Sequence, residues 1–560
     1  MTAPQNVDGA TALARAWMAQ DPDPVTRAQL DAMVASAAAD APGALAALVA
    51  RFDGRLEFGT AGLRGALGAG PTRMNRVLVS QAAAGLAAYL LSRESNPSVV
   101  IGYDGRHNSA IFARDTAELM QGAGVHATLL PRLLPTPVLA FGVRFLKASA
   151  GVMVTASHNP AADNGYKVYL GGEDAGSQIV PPADAEIQAE ILRIAAGSIA
   201  GMPRSTGYTT ADEKVVDAYA AATAGVARSG APAANLRYVY TPMHGVGLET
   251  ARAVFADAGF PDMHVVTAQA NPDPEFPTVA FPNPEEPGAM DLALALAASV
   301  DADLVIANDP DADRVAVGVR SASGEWRRLS GNEVGWLLGW RAARGAGSIG
   351  VLACSLVSSP GLGAVAAASG LDWVETLTGF KWISRVPSLV FGYEEALGYL
   401  VDPDKVRDKD GISAAVAVLE LFADLKHAGV SYEQHLAAFA DAFGGYASSQ
   451  ISIRVDELSQ IPEMMARLRA TPPSSVGGLA VVGADDFLDG VQGFPPNDIL
   501  RYRFDSATGG GRVIVRPSGT EPKLKCYLDG WSVVGTAAER LGAAEAVVAA
   551  LDAGMRELLG

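Results

Sequence analysis

Cysteine is scarce: Cys354 and Cys526 are the only two in 560 residues, too few for a disulfide framework. Positive charge is also short. Lys and Arg number 43 against 61 Asp and Glu, a formal net charge of −18. Such a chain repels polyphosphate and anionic membranes at long range, so neither nucleic acid nor a membrane is an expected partner. A small anion can still bind where basic groups gather locally. The opening MTAPQNVDGA lacks the cationic-then-apolar order of a signal peptide. One uncharged stretch, 346–371, reaches transmembrane length, but Gly350, Pro360, Gly361 and Gly363 interrupt it. It reads as buried strand, turn and helix, and a cytoplasmic location is expected. The chain has no G-x-x-x-x-G-K-[ST] loop and no G-x-S-x-G elbow, which disfavours a P-loop ATPase and the elbow-type hydrolases. Solenoid-type repeats are missing as well. A partial G-x-G at Gly245 and Gly247 has Thr250 where a third glycine would stand, weak support for a dinucleotide site.

What is present is ordinary globular material, 49% apolar and 19% charged, enough apolar surface to order most of the chain. At about 150 residues per domain the length suggests three or four domains. A short apolar run, a glycine-rich turn and an alanine-rich helix recur. Ser98–Gly102 leads through Tyr103-Asp104-Gly105-Arg106 to a helix near Ser109, and Leu236–Tyr240 leads to one near Glu249. Ser348–Cys354 leads through Ser359-Pro360, a cap with proline at the first helical position, into a helix at 361–370. Strand and helix alternating in this way imply α/β domains with largely parallel sheets, whose sites lie in turns beyond the strand ends. Helical hairpins are expected over 11–52. Boundaries are expected before Ala211, near 321–324 and near 443–445.

Three of these turns carry candidate chemistry. Thr155-Ala156-Ser157-His158-Asn159-Pro160 follows the apolar run Gly151–Val154 and displays a serine, a nucleophile or phosphate carrier; the alternative is a Ser/Asn turn bonded to its own backbone. His158 is adjacent to Ser157 and need not face it. Asp309-Pro310-Asp311-Ala312-Asp313-Arg314 sets three carboxylates at alternate positions, an oxygen-only set suited to Mg²⁺ or Ca²⁺. Arg314 and Arg320 at the sixth and twelfth positions exclude an EF-hand, and a solvated acidic turn is the alternative. Arg516-Pro517-Ser518-Gly519-Thr520 offers a guanidinium, hydroxyls and free backbone N–H groups to a phosphate, or else is an ordinary turn. Phe58–Gly65, Thr378-Gly379-Phe380-Lys381, Tyr393-Glu394-Glu395-Ala396 and Asp408-Lys409-Asp410-Gly411 are weaker when taken singly.

Together and in this order, TASHNP, DPDADR and RPSGTEPK resemble the α-D-phosphohexomutase family, the phosphoglucomutases and phosphomannomutases, from about Trp17 to the C-terminus. FGTAGLRG and the long lead-in are most similar to the branch of longer phosphoglucomutases and phosphopentomutases. The resemblance implies four domains in a heart shape, three related α/β domains with mixed sheets and a C-terminal α+β domain: 1–210 with the helical lead-in and the phosphoserine loop, 211–323 with the metal loop, 324–442 with a sugar-recognition loop, and 443–560, the antiparallel α+β domain with a phosphate loop. It implies that Ser157 carries the phosphoryl group and also faces the metal, with Asp309, Asp311 and Asp313 as Mg²⁺ ligands. Arg64, Lys167, His158 and Lys409 would be catalytic. Arg314, Thr378, Gly379, Lys381, Glu394 and Glu395 would bind substrate, and Arg516, Ser518, Gly519 and Thr520 would clamp its distal phosphate. The implied reaction interconverts glucose 1-phosphate and glucose 6-phosphate through glucose 1,6-bisphosphate. Phosphomannomutase, phosphopentomutase and a serine-nucleophile phosphatase stand as alternatives, and small sugar phosphates would be the only partners of a monomer or dimer. Ala396 stands where many members have serine, which leaves the choice of sugar open.

Overall fold

Asn6 and Asp23 each accept a backbone N–H at a helix start, launching Val7–Gln20 and, with proline in its first turn, Pro24–Ala38. A third helix, Ala44–Ala50, completes the lead-in. Trp17, Leu30 and Leu48 from these helices, with Phe52 just after the third, bury against Val77 and Leu78. The computed structural model describes residues 6–228, 236–347, 349–455, 457, 459–491, 493–518 and 523–559. Among them the chain forms two compact units, one of 1–320, 326–328 and 397–423, the other of 321–325, 329–396 and 424–560.

In the first unit, the strand Ala150–Val154 is buried on both faces, so it reads as a continuous apolar run rather than an alternation. It pairs in parallel with Ser98–Tyr103, which pairs in parallel with His126–Leu129. On its other side Asp163–Leu170 runs antiparallel, followed by Leu63–Ala66, also antiparallel. A second sheet has the parallel core Leu304–Asn308, Tyr238–Thr241 and Met263–Val265, with Val315–Arg320 antiparallel beside the first. The sheets are mixed, as the resemblance implies: parallel where helices join the strands, as the strand–turn–helix pattern predicts, and antiparallel where short turns return the chain. Those returns matter, because each follows a loop that carries candidate chemistry.

In the second unit Asp372–Thr376, Val351–Ser355 and Leu389–Glu394 are parallel. The helix Gly361–Ser369 starts one residue later than the sequence implies: Pro360 is its N-cap, and Ser359 Oγ accepts the Gly361 N–H at 3.4 Å. A second sheet runs Gly445–Arg454, Lys523–Ser532, Gly509–Pro517, Leu500–Asp505, Leu479–Asp486 and Ser475–Val476, antiparallel throughout. Val547, Val548, Leu551 and Met555 of the long helix Ala537–Leu559 close its core. The two sheets are joined by Leu356, Val357 and Leu377 against Phe487, Ile514 and Tyr527, and by Arg512, which donates to Glu375, Asp529 and the Ser358 carbonyl.

Candidate active site

The strand Ala150–Val154 ends in the turn that holds Ser157, a non-glycine residue in the left-handed region at φ 51°. The Ser157 N–H donates to Thr155 Oγ1 at 2.9 Å. Contrary to the displayed serine expected from sequence, the side chain is buried, at 3% relative exposure. The reason is its neighbour. The loop after Leu304–Asn308 lies against it, and Ser157 Oγ donates to Asp309 Oδ2 at 2.9 Å. His158, which sequence left undirected, does face it, with Nδ1 3.2 Å from Oγ.

The loop 309–314 is a tight return between antiparallel strands. Asn308 holds its ends together by donating to the Arg314 carbonyl at 2.6 Å, and the Arg314 N–H donates to Asp309 Oδ1 at 3.0 Å. The curl brings one carboxylate oxygen each from Asp309, Asp311 and Asp313 within 4.8 Å of one another. Gly245 and Gly247 serve this loop rather than a dinucleotide. A Cβ on Gly245 would lie 2.3 Å from Pro310 Cα, and one on Gly247 would lie 2.5 Å from Tyr240 Oη and 3.2 Å from Ala312 Cβ.

All three aspartates are buried. Lys167, on the antiparallel strand Asp163–Leu170, places Nζ 2.8 Å from both Asp311 Oδ2 and Asp313 Oδ2. Lys409 Nζ lies 3.1 Å from Asp313 Oδ2 and 3.4 Å from Asp408 Oδ1. Arg314 Nε is 3.9 Å from Asp313 Oδ1. Burial disfavours every charge here, but the lysines outweigh it for two aspartates. Asp311 is held below the usual carboxylate range by Lys167 and the Thr136 hydroxyl, and Asp313 is held far below it by Lys167, Lys409 and Arg314. Asp309 is pushed well up, first by burial and then by its two acidic neighbours. The same two carboxylates raise Lys167 despite its burial. His158 is pushed well down, by burial and then by Arg314 and Arg64, and is neutral near pH 7.

The acidic set fits a hard divalent cation. Asp311 Oδ1 and Asp313 Oδ1 are buried and accept no hydrogen bond, and every donor in the cluster is an oxygen.

Arg64 Nη1 donates to Asn159 Oδ1 at 3.2 Å, at the edge of the serine turn. Ser157, His158, Arg64, Lys167, Lys409, Arg314 and the three aspartates thus form one cluster in the first unit. The remaining candidates lie in the second unit. There Glu394 Oε1 accepts the Gly379 N–H at 2.6 Å, and Lys381 Nζ sits 5.7 Å from the centre of the Trp382 ring. Glu395 Oε2 instead accepts the Ser355 and Ser358 hydroxyls, both at 3.1 Å. Thr378 precedes Gly379 in the same loop. Arg516, half-buried, lies opposite Lys525 at the end of Gly509–Pro517, and the Ser518 N–H donates to the Lys523 carbonyl at 2.8 Å. Gly519 and Thr520 lie outside the described residues.

Three further participants were given no role by the sequence. Thr136 donates to Asp311 Oδ2 at 2.6 Å from the start of a helix 175 positions away in sequence. Asp408 receives Tyr169 Oη at 2.9 Å and braces Lys409. Arg106 binds the backbone of the serine turn. Asp408 and Arg106 stand in stretches that the sequence singles out, a charged turn and a turn directly after a buried strand; Thr136 had no visible signal.

Four family models match the chain, described as phosphoglucomutase/phosphomannomutase α/β/α domain I (residues 55–197), domain II (217–323), domain III (330–443) and C-terminal domain (451–540). Among curated relatives, a "Probable phosphomannomutase" of Haemophilus influenzae is 54% identical over 487 residues, covering 87% of this chain and 98% of that protein. A human phosphopentomutase is 35% identical, covering 85% of each chain. A phosphoglucomutase of Staphylococcus epidermidis is 34% identical, covering 84% of this chain and 90% of its own. Among solved structures, a phosphoglucomutase/phosphomannomutase family protein of Burkholderia thailandensis superposes with a TM-score of 0.65 at 19% identity, over 90% of this chain and 96% of that one. Parafusin, a phosphoglucomutase of Paramecium, gives 0.67 at 17% over 90% and 95%. At those identities the structures speak for the fold alone.

Proposed function

Starting from the chain's membership of the phosphoglucomutase/phosphomannomutase family, and so from a phosphosugar mutase, we propose that Ser157 carries the phosphoryl group between the two ends of a hexose phosphate. The observation that carries the reading is the contact of Ser157 Oγ with Asp309 beside a lysine-balanced carboxylate set. Asp309, Asp311, Asp313 and an oxygen of phosphorylated Ser157 would hold Mg²⁺. When bound, that ion neutralises and orients the charge of the phosphoserine, about −1.5 to −2.

Phosphoryl transfer is chiefly positioning and charge neutralisation, and the protein's own groups supply both. Lys167 and Lys409 offset the carboxylates, so the loop presents a charge-balanced face rather than a repulsive one to an incoming anion. Arg64 and Arg314 flank the serine turn and add cationic surface for the transferring group. Neutral His158 is the residue placed to exchange a proton with Oγ as the serine takes up or gives away its phosphoryl group. Glu394 takes the role of sugar-hydroxyl acceptor, supported by its fixed carboxylate on the Gly379 N–H. Arg516, Ser518, Gly519 and Thr520 take the distal phosphate. A clamp that reads phosphate but not sugar direction lets glucose 1,6-bisphosphate turn around between two transfers by the same serine.

Glucose 1-phosphate and glucose 6-phosphate are the proposed pair. The 54% relative named a phosphomannomutase favours mannose phosphates as a second reading. Side-by-side turnover of glucose, mannose and ribose 1-phosphates ranks the sugars, and glucose ranking below mannose overturns the first choice. Intact mass after incubation with glucose 1,6-bisphosphate should show one added phosphate, lost in Ser157→Ala together with more than about nine-tenths of the turnover. A Ser157→Ala protein retaining a tenth or more of the rate would refute the phosphoserine.

A further inference from the structure

A serine held at φ 51° with its nucleophilic oxygen in a cation site needs its backbone fixed from outside the turn. Arg106 does this. Its Nη2 donates to the carbonyls of Ser157 at 2.7 Å and Asn159 at 2.5 Å, and its Nη1 to those of Pro160 at 2.8 Å and Asp163 at 3.1 Å. One planar guanidinium thus gathers four carbonyls of a single loop. The side chain is buried, at 1% exposure, as is Asp104, whose Oδ2 lies 3.5 Å from Arg106 Nε. Asp104 Oδ1 accepts the Arg106 N–H at 3.0 Å and the Ser109 hydroxyl at 2.7 Å, tying the carboxylate to the first turn of the helix Ser109–Ala123. The Asp104 N–H donates to the Val154 carbonyl at 3.1 Å, where the strand leading to the serine ends.

One face of the guanidinium meets a loop that leads, by backbone contacts, to the loop of aspartates. Arg106 Cζ stands 4.9 Å from the centre of the Phe276 ring. Phe276 itself is held at φ 46°, its N–H donating to the Asp273 carbonyl at 3.1 Å, while the Asp273 N–H donates to the His244 carbonyl at 3.0 Å. His244 directly precedes Gly245, the residue packed on Pro310 of the acidic loop. Arg106 therefore lies between the backbone of the serine turn and a chain of contacts that ends on the acidic loop.

We propose that Arg106, oriented by Asp104, is a positioning residue: it sets the place of Ser157 Oγ relative to Asp309 without itself touching substrate. Four in-plane acceptors are matched to the donor geometry of a guanidinium, and the compact ammonium of lysine cannot serve them together. Losing them frees the turn to shift, and a misplacement of about 1 Å at a reacting centre lowers a rate roughly a hundredfold. The effect falls on the transfer step and leaves sugar-phosphate affinity nearly intact, because the sugar-recognition and distal-phosphate residues lie on other elements.

This inference rests on Ser157 being the phosphoryl carrier. Its test follows the phosphorylation of Ser157 by glucose 1,6-bisphosphate through intact mass in a quenched time course, with steady-state kcat and KM and a thermal melt alongside. Arg106→Lys and Asp104→Asn should each lower both the phosphorylation rate and kcat by roughly ten- to a hundredfold, with KM changed less than about threefold. A folded variant that phosphorylates within about twofold of the unaltered protein overturns the proposal. So does a loss expressed as raised KM at unchanged kcat. If Arg106→Lys does not fold, the isosteric Asp104→Asn decides. Absence of phosphate on Ser157 in the unaltered protein would remove the phosphoserine reading itself, whatever the variants do.

Discussion

Replacing Lys167 by methionine removes an ammonium from the middle of the carboxylate set while keeping much of its volume. Lys167 Nζ contacts Asp311 and Asp313 at 2.8 Å each, and the three side chains are 6%, 0% and 1% exposed. Three carboxylates face two ammonium groups in the native protein; the variant keeps Lys409, 3.1 Å from Asp313, and the Arg314 guanidinium, 3.9 Å from it. Breaking a buried pair on one side costs about 3–5 kcal/mol, because the partner stays buried without its counter-charge. At roughly 2–4 °C per kcal/mol for a large domain, the melting midpoint in a metal chelator should fall by about 6–20 °C, nearer the lower figure for a unit this size. Saturating Mg²⁺ restores positive charge at the same oxygens. Both proteins gain from the ion, so what returns is set by how much tighter the variant binds it: a tenfold tighter site gives back about 1.4 kcal/mol of the loss. The assay is a thermal melt of both proteins with chelator and with Mg²⁺, and the quantity read is the difference of differences. Turnover should be lost in either condition, since the offsetting charge at the transferring group is gone. An identical loss of midpoint with and without Mg²⁺ would refute the shared-charge argument. So would a loss below about 1 kcal/mol in chelator.

Gly245→Ala drives a Cβ to 2.3 Å from Pro310 Cα, so the acidic loop must move; overpacking of this kind costs about 1–3 kcal/mol, and Mg²⁺-dependent turnover should fall more than the melting midpoint suggests. Arg516→Lys should lower kcat/KM about ten- to a hundredfold for both sugar monophosphates alike, measured in both directions, with Ser157 phosphorylation preserved. His435 packs on Trp340 with ring centres 4.8 Å apart, and burial, followed by Arg344, pushes it down from 6.5 to about 4. Between those values the unfolded chain holds a proton that the folded one does not, so stability present above pH 6.5 drains away as pH falls towards 4. In urea titrations across that range His435→Gln should remove a pH-dependent loss on the order of 2 kcal/mol, allowing for solvent screening. An unchanged slope would remove His435 as its source.

Motif order was enough to name the family, and the recurring strand–turn–helix pattern was enough to name the α/β class, because both are written in contiguous residues. The buried state of Ser157 was not legible: a serine ending a strand is covered or open according to a loop 152 positions later. Thr136 stayed hidden for the same reason, and Asp408 stood in a noted stretch without a role, as their meaning lies only in the aspartate or lysine they meet. The hexapeptide around Ser157 shows neither its left-handed turn nor the guanidinium beneath it. Glu394 and Glu395 look equivalent in sequence, yet one fixes a loop N–H and the other is taken by two serines.

The first unit takes its last segment, 397–423, from beyond a long stretch that belongs to the second. During synthesis, therefore, the aspartate loop emerges long before Lys409, which follows Asp313 by close to a hundred residues. At about 5–20 residues per second the nascent chain carries its buried acids for some 5–20 s without one of the two lysines that balance them. In that interval Lys167 and Arg314, already synthesised, are the basic groups at hand to offset them. A chain halted at Arg320 would be an acid-heavy, incompletely closed fold rather than a working half, and circular permutants or split versions should succeed only where 397–423 travels with the first 320 residues.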